Sequence, residues 1–144
     1  MVTGAPSPSS SETAVVRADI TSRGEVERLV DAFYARVRAD GVLAPIFDDV
    51  AHVDWNQHLP KMYDFWTTVL FGQAAYSGNP LAVHRELAGR VPLGEPEFER
   101  WLEVFRATVD TLFSGPGADH VKVRAARIAA VMQHHISRDQ AMRR

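Results

Sequence analysis

The chain has 144 residues, a mass of 16.0 kDa and a hydrophobic share of 46%, which suits one globular domain that folds without disulfides or a structural metal. Its formal net charge is -2 and its positive charges are scattered, so it lacks the clustered basic residues of a general nucleic-acid binder. Because it contains no cysteine, disulfide frameworks and cysteine-ligated zinc or iron-sulfur sites are excluded.

The first residues, MVTGAPSPSSSETA, are rich in serine and proline and have neither the basic start nor the apolar centre of a secretory signal. We predict a disordered tail over residues 1–19 and one folded domain over residues 20–144. No apolar run approaches the roughly 20 residues that a membrane-spanning helix requires. Together with the absence of cysteine, this favours a cytoplasmic protein without a membrane partner.

The first helix is predicted to begin after Ser22, because Ser22 and Glu25 have the spacing of a capping box. Its apolar residues keep a period of about 3.6, with Phe33 on the inward stripe and Tyr34 beside it. Gly41 stands where a glycine in the left-handed conformation would end the helix.

A short connection leads to a second helix. The segment VLAPIFDDV is interrupted by a proline and predicts a turn or a short helix that presents Phe47 to the core. From Trp55 to Leu70 the apolar residues recur at helical spacing, and His58 lies on the same buried stripe. Proline is tolerated in the first turn of a helix, so Pro60 places the start of the regular helix near His58.

The stretch GNPLAVHREL predicts a third, short helix. Asn79 and Pro80 form a good cap and first-position pair. Leu81, His84 and either Leu87 or Ala88 then lie on one stripe that should face inward. An imidazole in the middle of such a stripe must be satisfied by something buried.

Two longer helices complete the chain. The segment EPEFERWLEVFRATVDTLF carries Trp101 and other apolar residues at helical spacing, and SGPG ends it. A final helix is predicted from about Asp119 to the C-terminus. No segment alternates like a strand and there is no internal repeat, so the predicted fold class is all-α.

Four polar side chains on these helices converge on the predicted interior. His58 and His84 lie on inward faces of different helices, while Tyr34 and Trp101 bring a hydroxyl and an indole N–H. A single buried histidine is usually a core imidazole bonded to a carbonyl. Several donors together indicate a pocket with a polar guest, because each unpaired buried donor costs on the order of 1–3 kcal/mol.

Among possible guests, a haem fits the pattern best. Zinc usually takes four ligands at close spacing, and neither His58 nor His84 has a ligating partner one turn away. The sequence has no glycine-rich phosphate loop and no nucleophile in a recognisable turn, which disfavours phosphate chemistry and hydrolysis. A haem is large and flat, packs against aromatic walls and takes one imidazole as a strong axial ligand, which accounts for His84.

Five motifs follow one another along the chain: FY at residues 33–34, PIF at 45–47, WNQHLPKMYDFW at 55–66, YSGNPLAVH at 76–84 and FERWLEVF at 98–105. Together they resemble the truncated globins, and more narrowly the third group of that family. The resemblance covers roughly residues 20–138. It implies a shortened globin fold, a two-over-two helical sandwich around a non-covalent haem b.

The resemblance also implies a role for each interior polar residue. His84 is expected to bind the haem iron on the proximal side, with its other ring N–H held by a carbonyl. Tyr34, His58 and Trp101 are expected on the distal side as hydrogen-bond donors to a small ligand, although His58 could instead bind the iron directly. Lys61 is expected at the pocket rim beside a haem propionate. The other residues expected to contact the haem are Phe33, Phe47, Met62, Phe65, Trp66 and, beside the proximal ligand, Arg85.

Three functions are compatible with these residues. The first is a haem protein that reversibly binds O2, CO, NO and cyanide. The second is a haem redox enzyme, peroxidase-like or an NO dioxygenase, which needs a separate reductase because the chain has no flavin or nicotinamide module. The third is a cofactor-free helical interaction domain, which leaves the convergence of the four polar side chains unexplained.

Overall fold

In a computed structural model, the chain is described over residues 17–47, 53–72, 78–89 and 93–142. These ranges contain no strand, which agrees with the predicted all-α class. In chain order the helices are α1 (Arg23–Ala39), α2 (Trp55–Phe71), α3 (Pro80–Ala88), α4 (Glu95–Leu112) and α5 (Pro116–Met142). A helical turn at residues 44–47 follows α1, as predicted. Residues 1–16 of the predicted tail lie outside the described ranges.

The start of α1 follows Ser22 as predicted, but the cap differs from a reciprocal capping box. The Ser22 hydroxyl donates to the Glu25 carboxylate at 2.9 Å and does not accept a backbone N–H of the first turn. The same carboxylate accepts the backbone N–H of Thr21 at 3.2 Å. These hydrogen bonds, the one from Ser22 first, lower the pKa of Glu25. The carboxylate therefore organises the entry into the helix.

The end of α1 corrects the prediction made for Gly41. The C-cap is Asp40 in an extended conformation, and Gly41 does not have a positive φ. One Asp40 oxygen accepts the backbone N–H groups of Val42 at 3.1 Å and Leu43 at 3.0 Å. The other accepts the Arg100 guanidinium at 2.7 Å, which is the main reason that the pKa of Asp40 is lowered. An ion pair thus closes the helix and ties it to α4.

The start of α2 also differs from the prediction, which placed the regular helix from about His58. The helix begins at Trp55, where the Asp54 carboxylate accepts the backbone N–H of Asn56 at 3.1 Å. Pro60 therefore lies inside the helix. Its missing N–H would have bonded the carbonyl of Asn56, a residue exposed to water that can take its place. The added turn puts Trp55 and His58 on one face.

The start of α5 lies at Pro116, ahead of the predicted Asp119, because its cap comes from a distant part of the chain. The Asp19 carboxylate accepts the backbone N–H groups of Gly117 and Ala118, each at 2.9 Å. A Cβ on Gly117 would lie 2.5 Å from the carbonyl oxygen of residue 20, so this close approach requires glycine. Asp19 belongs to the span assigned to the tail, and the contacts of the folded domain therefore extend into that span.

The core forms where α1 packs on α2 and α4, and where α5 packs on α4 and α2. Large buried side chains from these helices include Phe33, Phe105, Leu29 and Ile136. The short α3 packs on α5, and none of its residues is fully buried. The half-buried stripe of α3 therefore supplies one wall of the interior beside the main core. Within the described residues, no helix combines the length and apolarity needed to cross a membrane.

Replacing Asp19 with alanine should lower the free energy of unfolding by about 1 kcal/mol, the usual cost of losing a side-chain helix cap. The Gly117 N–H is the main cause of the lowered pKa of Asp19. Its contribution is therefore present above the unfolded pKa near 3.8 and is lost as the pH falls through the lower folded pKa. Urea unfolding between pH 7 and pH 3 measures both effects. The exposed Glu99→Ala is the control of equal charge, and equal losses in both variants would contradict the capping role.

Candidate functional site

His84 lies in the middle of α3, on the stripe predicted to face inward. Asn79 caps the helix by accepting the backbone N–H of Ala82 at 3.0 Å, and Pro80 occupies the first turn, as the sequence predicts. The half-buried His84 side chain has its Nδ1 atom 2.7 Å from the Pro80 carbonyl oxygen. A carbonyl only accepts, so Nδ1 donates its proton there and Nε2 keeps a free lone pair. This is the tautomer that binds a metal through Nε2.

His58 projects from α2 into a group of aromatic rings. The ring centroids of Tyr34, Trp55 and Phe47 lie 5.0, 5.6 and 6.3 Å from the centroid of its imidazole, each in an edge-on arrangement. We call Tyr34, Phe47, Trp55 and His58 the His58 aromatic cluster. Three separate elements, α1, the turn at residues 44–47 and α2, supply its members. The cluster therefore depends on the tertiary fold.

The imidazole of His58 is incompletely paired. Its Nε2 atom is buried and has no hydrogen-bond partner among the described residues. Burial is the main reason that the pKa of His58 falls to about 4, with further lowering by positive charge on His84 and on Lys61. The ring is therefore neutral at pH 7.

Tyr34 brings a hydroxyl to this cluster. The residue is 6% exposed, and burial raises the pKa of its hydroxyl. The hydroxyl therefore keeps its proton and is available as a donor. The Tyr34 ring is held edge-on by Phe33, with a centroid distance of 4.9 Å, and by the tilted ring of Trp55 at 5.4 Å.

Trp101 belongs to a second aromatic group, which joins α4 to α1 and α2. Its ring stacks on Phe105 at 5.4 Å and faces Trp66 at 6.5 Å, while Phe33 meets it edge-on at 5.6 Å. Trp101 is half-buried, whereas Phe33 and Trp66 are 1% and 2% exposed. Of the three predicted contacts, Trp101 thus keeps surface for a ligand. Phe33 and Trp66 are buried by other side chains and both contact the Trp101 ring.

The remaining predicted residues divide between wall and surface. Met62 and Phe65 are half-buried on α2, and Phe47 is half-buried in the His58 aromatic cluster. Lys61 is exposed one turn after His58. Arg85 is exposed as well, but its guanidinium is engaged by a carboxylate of α5, described below.

Residues 19–137 match the family model described as bacterial-like globin. The chain belongs to this family. It is 30% identical over 112 residues to the group 3 truncated hemoglobin of Campylobacter jejuni, in an alignment that covers 76% of this chain and 86% of that protein. The crystal structure of group III truncated hemoglobin from Campylobacter jejuni matches with a TM-score of 0.74 at 28% identity, covering 84% of this chain and 95% of that one. The expected truncated-globin relationship and shortened globin fold are confirmed.

Membership in the globin family implies that the chain binds haem. The side chains of this globin fit that group. The Nε2 atom of His84 is not used by the protein hydrogen bond at Nδ1, and the Nε2 atom of His58 is buried with no partner in the described chain. Half-buried apolar side chains such as Met62 and Phe65 lie on the same helix as His58.

Two residues of the globin site were not among the predicted contacts. Trp55 stacks on Phe47 at 5.8 Å and also contacts His58 and Tyr34, so it belongs to the His58 aromatic cluster. The Arg38 guanidinium carbon lies 4.9 Å from the Trp55 ring centroid, a cation–π contact that fixes the tryptophan from outside. The signal for Trp55 is its position three residues before His58 on one helix face. Arg38 carries no comparable signal in the sequence.

Substituting His58 with leucine should stabilise the haem-free globin by about 1 kcal/mol at pH 7, because it removes an unpaired buried nitrogen. Below pH 6.5 His58 becomes protonated in the unfolded chain, whereas in the folded protein it stays neutral down to about pH 4. The wild-type protein should therefore lose stability over this range, and the variant should lack that part of the loss. Urea unfolding measures both, with the exposed His120→Leu as control. A variant that is less stable than wild type both at pH 7 and near pH 4 would contradict this account.

Proposed function

We propose that this globin holds a non-covalent haem b and reversibly binds O2 and other small ligands such as CO, NO and cyanide. The observation that carries the proposal is the pair of imidazoles. His84 has Nδ1 bonded to the Pro80 carbonyl and Nε2 free, while His58 has a buried Nε2 without a partner in the described part of the chain. The first is prepared to bind iron, and the second is available to a guest.

His84 is the proposed proximal ligand. The hydrogen bond from Nδ1 to the Pro80 carbonyl fixes the ring orientation and makes Nε2 a better electron donor. When bound, the haem would supply an iron that His84 could hold and that could take a small ligand such as O2.

Tyr34, Trp101 and His58 are the proposed distal residues. Tyr34 keeps its hydroxyl proton because burial raises its pKa, and His58 is neutral at pH 7 with one ring N–H to donate. Donors held in a water-poor, aromatic surrounding stabilise a partly negative ligand atom more than the same donors do in water. We therefore assign these three residues the retention of polar diatomic ligands.

The other proposed haem contacts follow from exposure. Half-buried Phe47, Met62 and Phe65 have apolar surface for the porphyrin, and exposed Lys61 is suited to a propionate at the rim. Phe33 and Trp66 act indirectly, by fixing Tyr34 and Trp101 through the ring contacts described above. The aromatic walls thus combine ligand contact with support.

His84→Gly should abolish the axial bond, because the structure offers no other free imidazole on α3 among its described residues. Wild-type protein supplied with haem should show a haem absorbance band that shifts when the ferrous form is exposed to CO. The variant should bind haem weakly, and added imidazole should restore the wild-type spectrum. The exposed His134→Ala is the control. A variant spectrum identical to wild type without imidazole would contradict the assignment of His84.

Tyr34→Phe should speed O2 release by about tenfold, which corresponds to the loss of one charge-assisted hydrogen bond of roughly 1.4 kcal/mol. CO accepts hydrogen bonds poorly, so its release should change much less. Stopped-flow ligand exchange measures both rates. Tyr63→Phe removes the same hydroxyl from a residue whose hydroxyl donates to Asp31 on the surface, and is the matched control. Equal O2 rates in Tyr34→Phe and wild type would remove Tyr34 from the distal role.

A further inference from the structure

The position of α3 depends on few contacts, although this helix carries His84. It has no fully buried residue, and the neighbouring helix on which it packs is α5. Its apolar contribution comes from Leu81, Leu87 and Ala88, which are half-buried against a cluster that includes Met132. Such a helix can shift or rotate more easily than one whose side chains interlock in the main core.

An ion pair joins α3 to α5 next to His84. The Arg85 guanidinium donates to both carboxylate oxygens of Asp139, from Nε at 2.7 Å and from Nη2 at 2.6 Å. The side chain of Asp139 is 20% exposed and that of Arg85 is 45% exposed. A two-point contact between planar groups fixes orientation as well as distance, which a single bond does not.

The His84 ring follows any movement of its helix. Its Nδ1 bonds the carbonyl of Pro80, which belongs to the same helix one turn earlier. The imidazole is therefore fixed relative to α3, and the location of its Nε2 atom depends on how α3 sits on α5. Arg85 is the next residue along the chain from His84.

We propose that Arg85 and Asp139 are positioning residues that set the orientation of α3 on α5, and thereby the direction in which His84 presents Nε2. This proposal rests on the proposed function for its effect on iron, but not for its effect on the helix. It assigns Arg85 a task different from the expected contact with the haem. Arg85 acts on the site through the helix that it shares with His84.

The expected effect is on geometry more than on folding. Exposed ion pairs contribute little to overall stability. A small free energy is nevertheless sufficient to change how often a lightly packed helix opens. We therefore expect amide hydrogen exchange within α3 to become about three- to fivefold faster when the pair is broken, the factor that an exposed pair allows.

The test compares Arg85→Gln, Asp139→Asn and the double variant in the full-length protein as purified. The control is Lys122→Gln, which removes one positive charge from another exposed pair, Lys122 with Asp110 at 2.7 Å, between α5 and α4. Hydrogen exchange of α3 amides is the first readout. The second is the iron–histidine stretching band of the ferrous haem-loaded protein by resonance Raman spectroscopy.

The proposal expects both single variants to speed exchange in α3 and to shift or broaden the iron–histidine band. The effects of the two single variants should not add in the double variant, because each of them breaks the Arg85–Asp139 pair. Lys122→Gln should leave α3 and the band unchanged. The proposal is overturned if the α3 amides of both single variants exchange at the wild-type rate. It is also overturned if Arg85→Gln has an effect and Asp139→Asn has none, the result that a direct haem contact by Arg85 would give. If wild-type protein takes up no haem, the proposed function fails, while the exchange result still decides the role of the pair.

Discussion

The hydrogen bond from His84 Nδ1 to the carbonyl of Pro80 is the interaction on which the site depends. It fixes which ring nitrogen carries the proton, and so leaves Nε2 as the nitrogen with a lone pair. It also joins the ring to its own helix, since donor and acceptor are one turn apart. The chemistry of the imidazole and the placement of α3 are therefore a single structural problem, and the cap by Asn79 at the start of that helix contributes to both.

The surroundings of His58 differ from those of His84, because the polar atoms there lie among aromatic rings. His58 has three edge-on ring neighbours. The burial that keeps the imidazole neutral also leaves its Nε2 atom without a hydrogen-bond partner among the described residues. Tyr34 is held similarly and keeps its hydroxyl proton. Rigid rings lose little conformational entropy, so they can position donors before a ligand arrives. The unpaired nitrogen lowers the free energy of unfolding, and the buried apolar core of the rest of the fold offsets this loss.

Local signals explain how much of this could be predicted from the sequence. The cap of α3 and the inward position of His84 follow from neighbouring residues, Asn79, Pro80 and the apolar stripe, and these predictions agree with the structure. The motifs from residue 33 to residue 105 also carried the family resemblance, which the comparisons confirm. Where the determining contact is close in sequence, pattern and structure agree.

Contacts between distant residues explain the differences. The start of α5 depends on Asp19, which lies 98 positions from Gly117, so a local search for a cap places it too late. The end of α1 depends on Asp40 bonded to Arg100, which makes the expected left-handed Gly41 unnecessary. Arg38 over Trp55, and Arg85 on Asp139, are likewise pairings that only the folded chain reveals. Sequence patterns identify which residues are special, and the tertiary fold decides what they contact.

The close approach at Gly117 has a consequence for biosynthesis. Asp19 and Ile20 are synthesised before the residues that they contact, since Gly117 and Ala118 follow Asp19 by 98 and 99 positions. The last helix therefore receives its cap only when nearly the whole domain is available. A nascent chain stopped before Gly117 lacks this contact, so completion of the domain requires two segments far apart in the sequence to come together.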